Sequence, residues 1–406
     1  MSRIDRDRLN AFLLLRQHLA DVARHDDVVQ IVRDIGGLHA TNAATPYLSL
    51  FARQPTAPMA AIGGSFAEWA SLERQRLDAE LYERRTLGRI RCMRKTVYIL
   101  PRESLAMAWR ATCSMSLDTS RRYLAFRGIA TEQYEMLSRA IIELLRGRTM
   151  TVAEMRKALG TTADLSAVVN LMCDDCLLIR DQPAGGWRAS NHRYALFEEC
   201  FPHPGTSDDE IPTATTDLVR HYLAAFAPAT LNDAAWWTGL GKAAVREALK
   251  RLGGEVAPLS IDGVEGEFLL LRSDLELLEA VSAMGHPTVN LLPTLDPYLM
   301  AYKDRTRYLE ARYYHCVYDR AGNATHTVLV DGRVAGIWDV QQDRPPLVKL
   351  YFFEDVDGAT LSAVREEARR VGAFVTGREV EVRACDAMVP LTERTAGSVY
   401  SPLKAS

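Results

Sequence analysis

The sequence predicts a mixed α+β protein that is mainly helical and ends in a β-rich region. Before about residue 285, apolar residues recur at helical spacing, and several of these helices are followed by two short strands. From Val289 onward, strand-like runs separated by Asp-Gly and Gly-Asn signals replace the helical pattern. A chain of 406 residues is long enough for several units with their own cores.

The first unit is expected over residues 1–128. Helices are predicted at residues 5–22, where leucine and phenylalanine side chains share one face, and at Val28 to Ile35 behind a capping aspartate. A third helix, near Asp78 to Leu87, precedes two strands at about Arg89 to Met93 and Thr96 to Leu100. Helices that lead into a β-hairpin are typical of a winged-helix unit.

The next two units repeat the same order of helix, helix-turn-helix and hairpin. In residues 129–201, Thr151 and Glu154 form a capping-box pattern at the start of the second helix. About eighty residues later, in residues 214–285, the order returns, and Lys242 to Gly253 takes the position of a recognition helix. The sequence therefore predicts three tandem winged-helix units.

The C-terminal region, residues 286–406, is expected to form a small barrel-like or curled sheet. Its strand-like runs include ARYYHCVYD, ATHTVLVD, GRVAGIWDV and PLVKLYFF. We expect this sheet to close against the helical units, with Asp296 and Asp304 orienting the β region.

Composition is that of an ordinary globular protein, with 48% hydrophobic and 25% charged residues. The charged start of the chain, Met1 to Asp7, has no signal-peptide core, so a cytoplasmic, nucleoid-associated location is expected. Seven scattered cysteines indicate a reducing compartment. Cys173 and Cys176 have CxxC spacing, but no second pair completes a zinc site, so we predict that they pack in the core. We expect no metal and no cofactor.

The stretch GGLHATNAATPYLSLFAR, residues 36–53, lies between two apolar helical runs. Gly36 and Gly37 allow a turn or a close approach of the backbone. His39, Thr41 and Asn42 are then three polar side chains at a helix junction. A buried, hydrogen-bonded structural histidine and a catalytic one are both consistent with the spacing alone.

Positive charge is segregated although the net charge is −3. Residues 84–127 contain eleven basic and two acidic residues, which gives this window a net charge of +9. Such a cluster attracts phosphate backbones, although a solvated basic face without a partner has the same composition. Arg89, Arg91 and Arg94 alternate along a predicted strand and are expected to project to one side.

Several stretches resemble the AlkZ/YcaQ family of DNA glycosylases, which are built from winged-helix units. They are GGLHATNAATPYLSLFAR, RIRCMRKTVYIL at Arg89 to Leu100, LLPTLDPYLMAYKDR at Leu291 to Arg305, and TVLVDGRVAGIWD at Thr327 to Asp339. The family signature has Gln-apolar-Gln, or Gln-apolar-Asp, where this chain has His39, Ala40 and Thr41. Asn42 stands where an acid commonly follows, and Tyr98 where relatives often have histidine.

The resemblance implies a monofunctional enzyme that hydrolyses the N-glycosidic bond of alkylated purines in duplex DNA, chiefly N7-alkylguanine and including bulky or crosslinked adducts. It would serve DNA repair or self-resistance. His39 would accept a proton from the attacking water through a neutral ring nitrogen, and Thr41 would hold that water. The alternative is a non-catalytic DNA-binding protein or transcription regulator, because the signature is altered to His-Ala-Thr.

The partner implied is double-stranded DNA, bound by a monomer, with no membrane. The residues expected to contact DNA are Arg84, Arg85, Arg89, Arg91, Arg94, Lys95, Tyr98, Asn42, Lys242 and Arg246.

Overall fold

The computed structural model describes residues 2–55, 64–205, 208–282, 287–342, 345–393 and 403–404. These residues form a mixed α+β fold in which about half of the chain is helical. Among the described residues, no helix is both long and apolar enough to cross a membrane.

The first part of the chain surrounds a three-stranded sheet. Its elements are β1 (Ser2–Ile4), α1 (Arg6–Arg16), α2 (Val28–Asp34), β2 (Leu38–His39), α3 (Thr45–Phe51), α4 (Phe66–Asp78), β3 (Leu87–Arg91), β4 (Val97–Pro101) and α5 (Leu105–Phe126). The predicted hairpin is present, with its first strand beginning two residues earlier than expected. β4 lies between β2 and β3 and is antiparallel to both. The backbone thus brings the chain around residue 39 onto the hairpin.

The second part has the predicted order of helices and hairpin. It consists of α6 (Thr131–Leu145), β5 (Met150–Thr151), α7 (Val152–Leu159), α8 (Leu165–Asp174), β6 (Leu178–Pro183), β7 (His192–Leu196) and α9 (Phe197–Cys200). Thr151 and Glu154 form the expected capping box. Cys173 and Cys176 are buried in hydrophobic clusters, which confirms that they are core residues.

The third part repeats that order and also receives the first strand of the chain. Its elements are α10 (Ile211–Phe226), α11 (Leu231–Thr238), α12 (Lys242–Leu252), β8 (Val256–Ile261), β9 (Val264–Leu271) and α13 (Leu275–Ala280). β1 pairs in parallel with β8, so that Ile4 lies opposite Ile261. Thr230 caps α11 through a capping box with Asp233.

The C-terminal part is built on a five-stranded sheet of order β10-β11-β12-β13-β14. Its elements are β10 (Val289–Leu292), α14 (Tyr314–Val317), β11 (Thr327–Val330), β12 (Arg333–Gln341), β13 (Leu347–Phe352), α15 (Gly358–Thr376), β14 (Glu381–Ala384), β15 (Ala387–Met388) and β16 (Leu403–Lys404). In the described ranges, β10 and β14 are not paired with each other, so no closed barrel is seen. The strand predicted within residues 311–319 is instead the short helix α14.

Hydrophobic cores join parts that are distant in sequence. One cluster combines side chains of α1, β4, α5, α10 and the segment between β10 and α14. Another combines α2, α3 and α4 with the C-terminal sheet and α15. The helices of the second part share a cluster of their own. The stretch around residue 39 therefore lies where the first, third and C-terminal parts meet.

Candidate functional site

Strand β2 holds His39 against the β3–β4 hairpin. Leu38 lies opposite Ile99 and His39 opposite Tyr98, and the Ala40 N–H donates to the Val97 carbonyl at 2.7 Å. Gly37 has φ +97°, and a Cβ there would lie 2.5 Å from Leu100 Cδ2 and 3.0 Å from the Ile99 carbonyl oxygen. Only glycine permits this approach, which confirms the role predicted for the paired glycines.

The His39 imidazole is buried and neutral. Only 4% of the residue is exposed, its ring centroid lies 5.2 Å from that of Tyr98, and its Nδ1 is buried without a hydrogen-bond partner. Burial, assisted by the positive charge of Arg94, lowers the pKa of His39 to about 4. At neutral pH the ring can therefore accept a hydrogen bond or a proton, as the sequence hypothesis requires.

Thr41 and Asn42 are exposed in the bend that follows β2. The Asn42 side-chain oxygen accepts from the Ala44 N–H at 2.9 Å, just before α3 begins. In the described part of the chain, no hydrogen bond joins Thr41 to His39. Thr41 thus lies two residues after His39, and its side chain faces solvent.

Tyr98 is a core residue beneath this site. It is 3% exposed, and its ring lies between those of His39 and Trp237, 6.0 Å from the latter. Burial raises the pKa of Tyr98. Tyr98, which was expected to contact DNA, thus packs against the imidazole of His39.

The arginines of the predicted basic strand mostly face the second part of the chain. Arg91 Nη1 donates to Asp174 at 3.0 Å, and Arg85 Nη2 donates to Asp181 at 2.9 Å. Arg89 is 5% exposed and donates to the Tyr82 hydroxyl at 3.2 Å. The side chains of Arg89 and Arg91 do share one side of the strand, but that side is covered by protein.

Arg85, Arg89 and Arg91, which were expected to contact phosphates, thus have partners within the protein. Their guanidinium groups are engaged with acids and ring groups of the same chain, so they join the first and second parts. Arg84 is exposed but is paired with Glu80 one helical turn earlier. Further acids outside the basic window pair with Arg110 and Arg127. About half of the +9 charge is thus neutralised in the folded protein.

Two cations remain at the tip of the hairpin. Arg94 and Lys95 both have positive φ, +53° and +60°, and Lys95 is exposed. Arg94 stacks on Trp236 of α11, with its guanidinium carbon 3.8 Å from the ring centroid. Trp236 and the nearby Arg305 were not singled out from the sequence. The Trp-Trp pair at 236–237 was the available signal, because adjacent helical side chains point about 100° apart and two large indoles then face different surroundings.

Lys242 and Arg246 lie one turn apart on α12 and are exposed. In the described ranges, neither has an ion-pair partner, and the same is true of Arg94 and Lys95. α12 follows Gly239, where a Cβ would lie 3.0 Å from the Arg94 backbone nitrogen. The start of the helix is therefore close to the hairpin tip and continues the surface that carries these cations.

A buried ion pair fixes the segment that follows the site. Arg53 donates to both carboxylate oxygens of Asp296 at 2.8 Å, and Ser49 donates to the same carboxylate at 2.7 Å. Both charged side chains are fully buried. No cluster of three or more potential metal ligands occurs among the described residues.

Known proteins that are similar to this chain are DNA glycosylases. The sequence profile described as "DNA glycosylase AlkZ-like" matches residues 32–374. The interstrand DNA cross-link repair glycosylase of Streptomyces sahachiroi is 26% identical over 175 residues, which are 42% of this chain and 43% of that protein. The match thus spans less than half of the relative's length.

The fold is shared along almost the whole chain. The solved structure of the Streptomyces sahachiroi DNA glycosylase AlkZ has a TM-score of 0.73 with this one at 20% identity, covering 95% of this chain and 100% of the other. The profile match extends from α2 into α15 and includes the His39 site, the hairpin and α12. The chain belongs to the AlkZ-like family of DNA glycosylases.

Proposed function

We propose that the protein is a monofunctional DNA glycosylase that hydrolyses the N-glycosidic bond of N7-alkylguanine in duplex DNA, including bulky or crosslinked adducts. The observation that carries this proposal is the neutral, buried His39 with an unpaired Nδ1, next to a surface of exposed cations. The name of the cross-link repair relative supports the substrate class. The setting would be repair or self-resistance at the chromosome in the cytoplasm.

The reaction requires only a weak base at the position of His39. Alkylation at N7 makes the purine a cationic leaving group, so the C1′–N9 electron pair moves onto the base and neutralises it. Water then adds to an oxocarbenium-like C1′ and loses a proton to His39. A histidine with a pKa of about 4 is as weak a base as an aspartate, which is sufficient for a proton that leaves late. In this proposal the exposed Thr41 hydroxyl holds this water.

The DNA surface that we propose is smaller than the sequence indicated. It consists of the hairpin tip, Arg94 and Lys95, together with Lys242 and Arg246 of α12, with Asn42 at its edge. We propose that three winged-helix units, within residues 1–128, 129–201 and 214–285, carry this surface, and that a monomer binds the duplex. Paired arginines such as Arg91 hold the units together and leave phosphate binding to the four cations.

Base release is the test of this function. A duplex with one N7-methylguanine should yield free base and an alkali-sensitive abasic site. His39→Ala should slow release by about a hundredfold or more, since it removes the proton acceptor. His39→Gln should retain part of the activity, because an amide still orients water. Binding should scarcely change in either variant, because phosphate contacts dominate affinity.

Two outcomes would redirect the proposal. If His39→Ala releases base at the wild-type rate and melts at a lower temperature, His39 is a packing residue. If no base is released and one undamaged sequence is bound about a thousandfold more tightly than random duplex, the protein is a regulator.

A further inference from the structure

The tip of the β3–β4 hairpin has a left-handed backbone conformation at two consecutive residues. Arg94 has φ +53° and ψ +23°, and the next residue, Lys95, has φ +60°. The left-handed region is unfavourable for a residue with a Cβ. The tip packs against the end of α11, where Gly239 lets the Arg94 backbone approach. This conformation directs the Arg94 side chain onto the exposed edge of α11.

Trp236 receives Arg94 there, and a second arginine reaches the same indole. The Arg94 guanidinium carbon is 3.8 Å from the ring centroid, and that of Arg305 is 5.1 Å away. Arg305 is fixed by hydrogen bonds to the Tyr314 hydroxyl at 2.9 Å and to the Gly322 carbonyl at 3.1 Å. The two guanidinium groups thus share one aromatic platform built from three parts of the chain.

Neither arginine faces a carboxylate within the described residues. The Arg94 guanidinium also has no hydrogen-bond partner there, whereas the arginines of the neighbouring strand are paired with aspartates. Burial and the positive charge of Arg305 both lower the pKa of Arg94. A bound anion stabilises two neighbouring like charges such as the half-buried Arg94 and the buried Arg305. The planar donors of arginine match the oxygens of a phosphate.

This pair of cations lies beside the candidate catalytic residue. The charge of Arg94 contributes to the low pKa of His39, which places the two side chains within electrostatic reach of each other. Trp237, next to Trp236, contacts the Tyr98 ring that underlies His39. An anion held by Arg94 would therefore lie next to the nucleoside whose C1′ is attacked by the water that His39 activates.

We infer that Arg94, held flat by Trp236 and backed by Arg305, binds one phosphodiester of the damaged strand directly beside the target nucleoside. This inference rests on the proposed function in taking DNA as the ligand and His39 as the catalytic residue. The contact would fix the sugar so that C1′ faces the water at His39. Arg94 is then a binding residue, and Trp236 and Arg305 are positioning residues.

The test is a scan of single neutral methylphosphonates along both strands of a duplex. The duplex carries a tetrahydrofuran abasic analogue at the target position, and binding is measured by fluorescence anisotropy. One replacement beside the analogue should weaken wild-type binding by about 10- to 100-fold, as expected for a hydrogen bond to a charged group. The same replacement should have no further effect on Arg94→Gln, because the contact is already lost.

Matched variants distinguish the loss of this contact from the loss of one positive charge elsewhere and from a loss of stability. Lys242→Gln, which also removes one exposed cation, should keep the wild-type sensitivity at that position. Trp236→Leu should reduce the sensitivity and Trp236→Phe should largely keep it, with melting temperatures recorded for each. If Arg94→Gln responds to every replacement as the wild type does, the inference is wrong. Because the readout is binding, it is independent of whether base is released.

Discussion

At the scale of single residues, burial decides what His39 can do. A solvent-exposed histidine has a pKa near 6.5, so it would be partly protonated at mildly acidic pH. In this protein, desolvation and the charge of Arg94 lower the pKa of His39 to about 4. The side chain is neutral over the whole physiological range, so it carries no positive charge beside the sugar until it accepts the proton of the attacking water.

This shift predicts the pH dependence of base release. Neutral His39 is the active form, so the rate should stay constant from about pH 8 to 5.5 and fall as the pH drops through about 4. The slowing below pH 6 that an unperturbed histidine would give should be absent. Single-turnover rates, corrected for acid depurination without protein, measure this, and His39→Gln should lack the acidic limb. A midpoint near 6.5 would contradict the burial argument.

The lowered pKa of His39 also makes the folded state less stable at acidic pH. Because the folded-state pKa is lowered, the unfolded chain binds more protons than the folded one between pH 4 and 6.5. Stability contributed by neutral His39 is therefore complete above the unfolded pKa and is lost as the pH falls through this window. Loss of activity near pH 4 should accordingly be compared with the melting temperature at each pH.

At the scale of elements, the Arg53–Asp296 pair joins two stretches that lie far apart in sequence. Arg53 ends the GGLHATNAATPYLSLFAR stretch, and Asp296 lies within LLPTLDPYLMAYKDR. These two stretches, both of which resemble the AlkZ/YcaQ family, are thus joined by one buried bidentate ion pair. It anchors α3, whose beginning follows the loop of Thr41 and Asn42, to the C-terminal part. The sequence indicated an orienting role for Asp296 but not its partner.

Breaking this pair should cost much of the protein's stability. Asp296→Asn leaves the Arg53 charge fully buried and unpaired, so the free energy of unfolding should fall by about 3–5 kcal/mol. Denaturant unfolding measures the loss. The control is Asp118→Ala, which removes an exposed carboxylate 4.0 Å from Arg121 and should change stability by less than about 0.5 kcal/mol. Equal stabilities of the two variants would contradict the role of the pair.

Helices with a strong apolar stripe could be predicted from the sequence, and other elements could not. The second and third parts follow the expected order because their leucines and valines repeat at helical spacing. α5, which was not predicted, buries mostly small or polar residues such as Ala108, Thr112 and Ser116, so its stripe is hidden. The Tyr-rich run at residues 311–319 was predicted as a strand, but tertiary hydrogen bonds such as that of Tyr318 to the Leu299 carbonyl stabilise a helical turn.

At the scale of the whole molecule, folding rearranges the charge that the sequence segregates. The acids that neutralise the basic window, among them Asp174, Asp181, Glu210 and Asp164, all lie outside it along the chain. The net charge of a sequence window counts only the acids within that window. It therefore overestimates the positive charge that stays unpaired after folding. The pairing of β1 with β8 was hidden for the same reason, because long-range contacts leave no local pattern.

The salt dependence of duplex binding distinguishes cations that have no carboxylate partner from arginines that are paired with aspartates. Four cations have no carboxylate partner in the described residues, namely the half-buried Arg94 and the exposed Lys95, Lys242 and Arg246. They should give a slope of log K against log salt of about −3 to −4, at about −0.9 per phosphate contact. Lys242→Gln or Arg246→Gln should each make the slope shallower by about one. Arg91→Gln and Arg85→Gln should leave the slope unchanged and lower the melting temperature, because their partners are Asp174 and Asp181. If instead the paired arginines set the slope, the interface would have to open on binding and expose them to the phosphates.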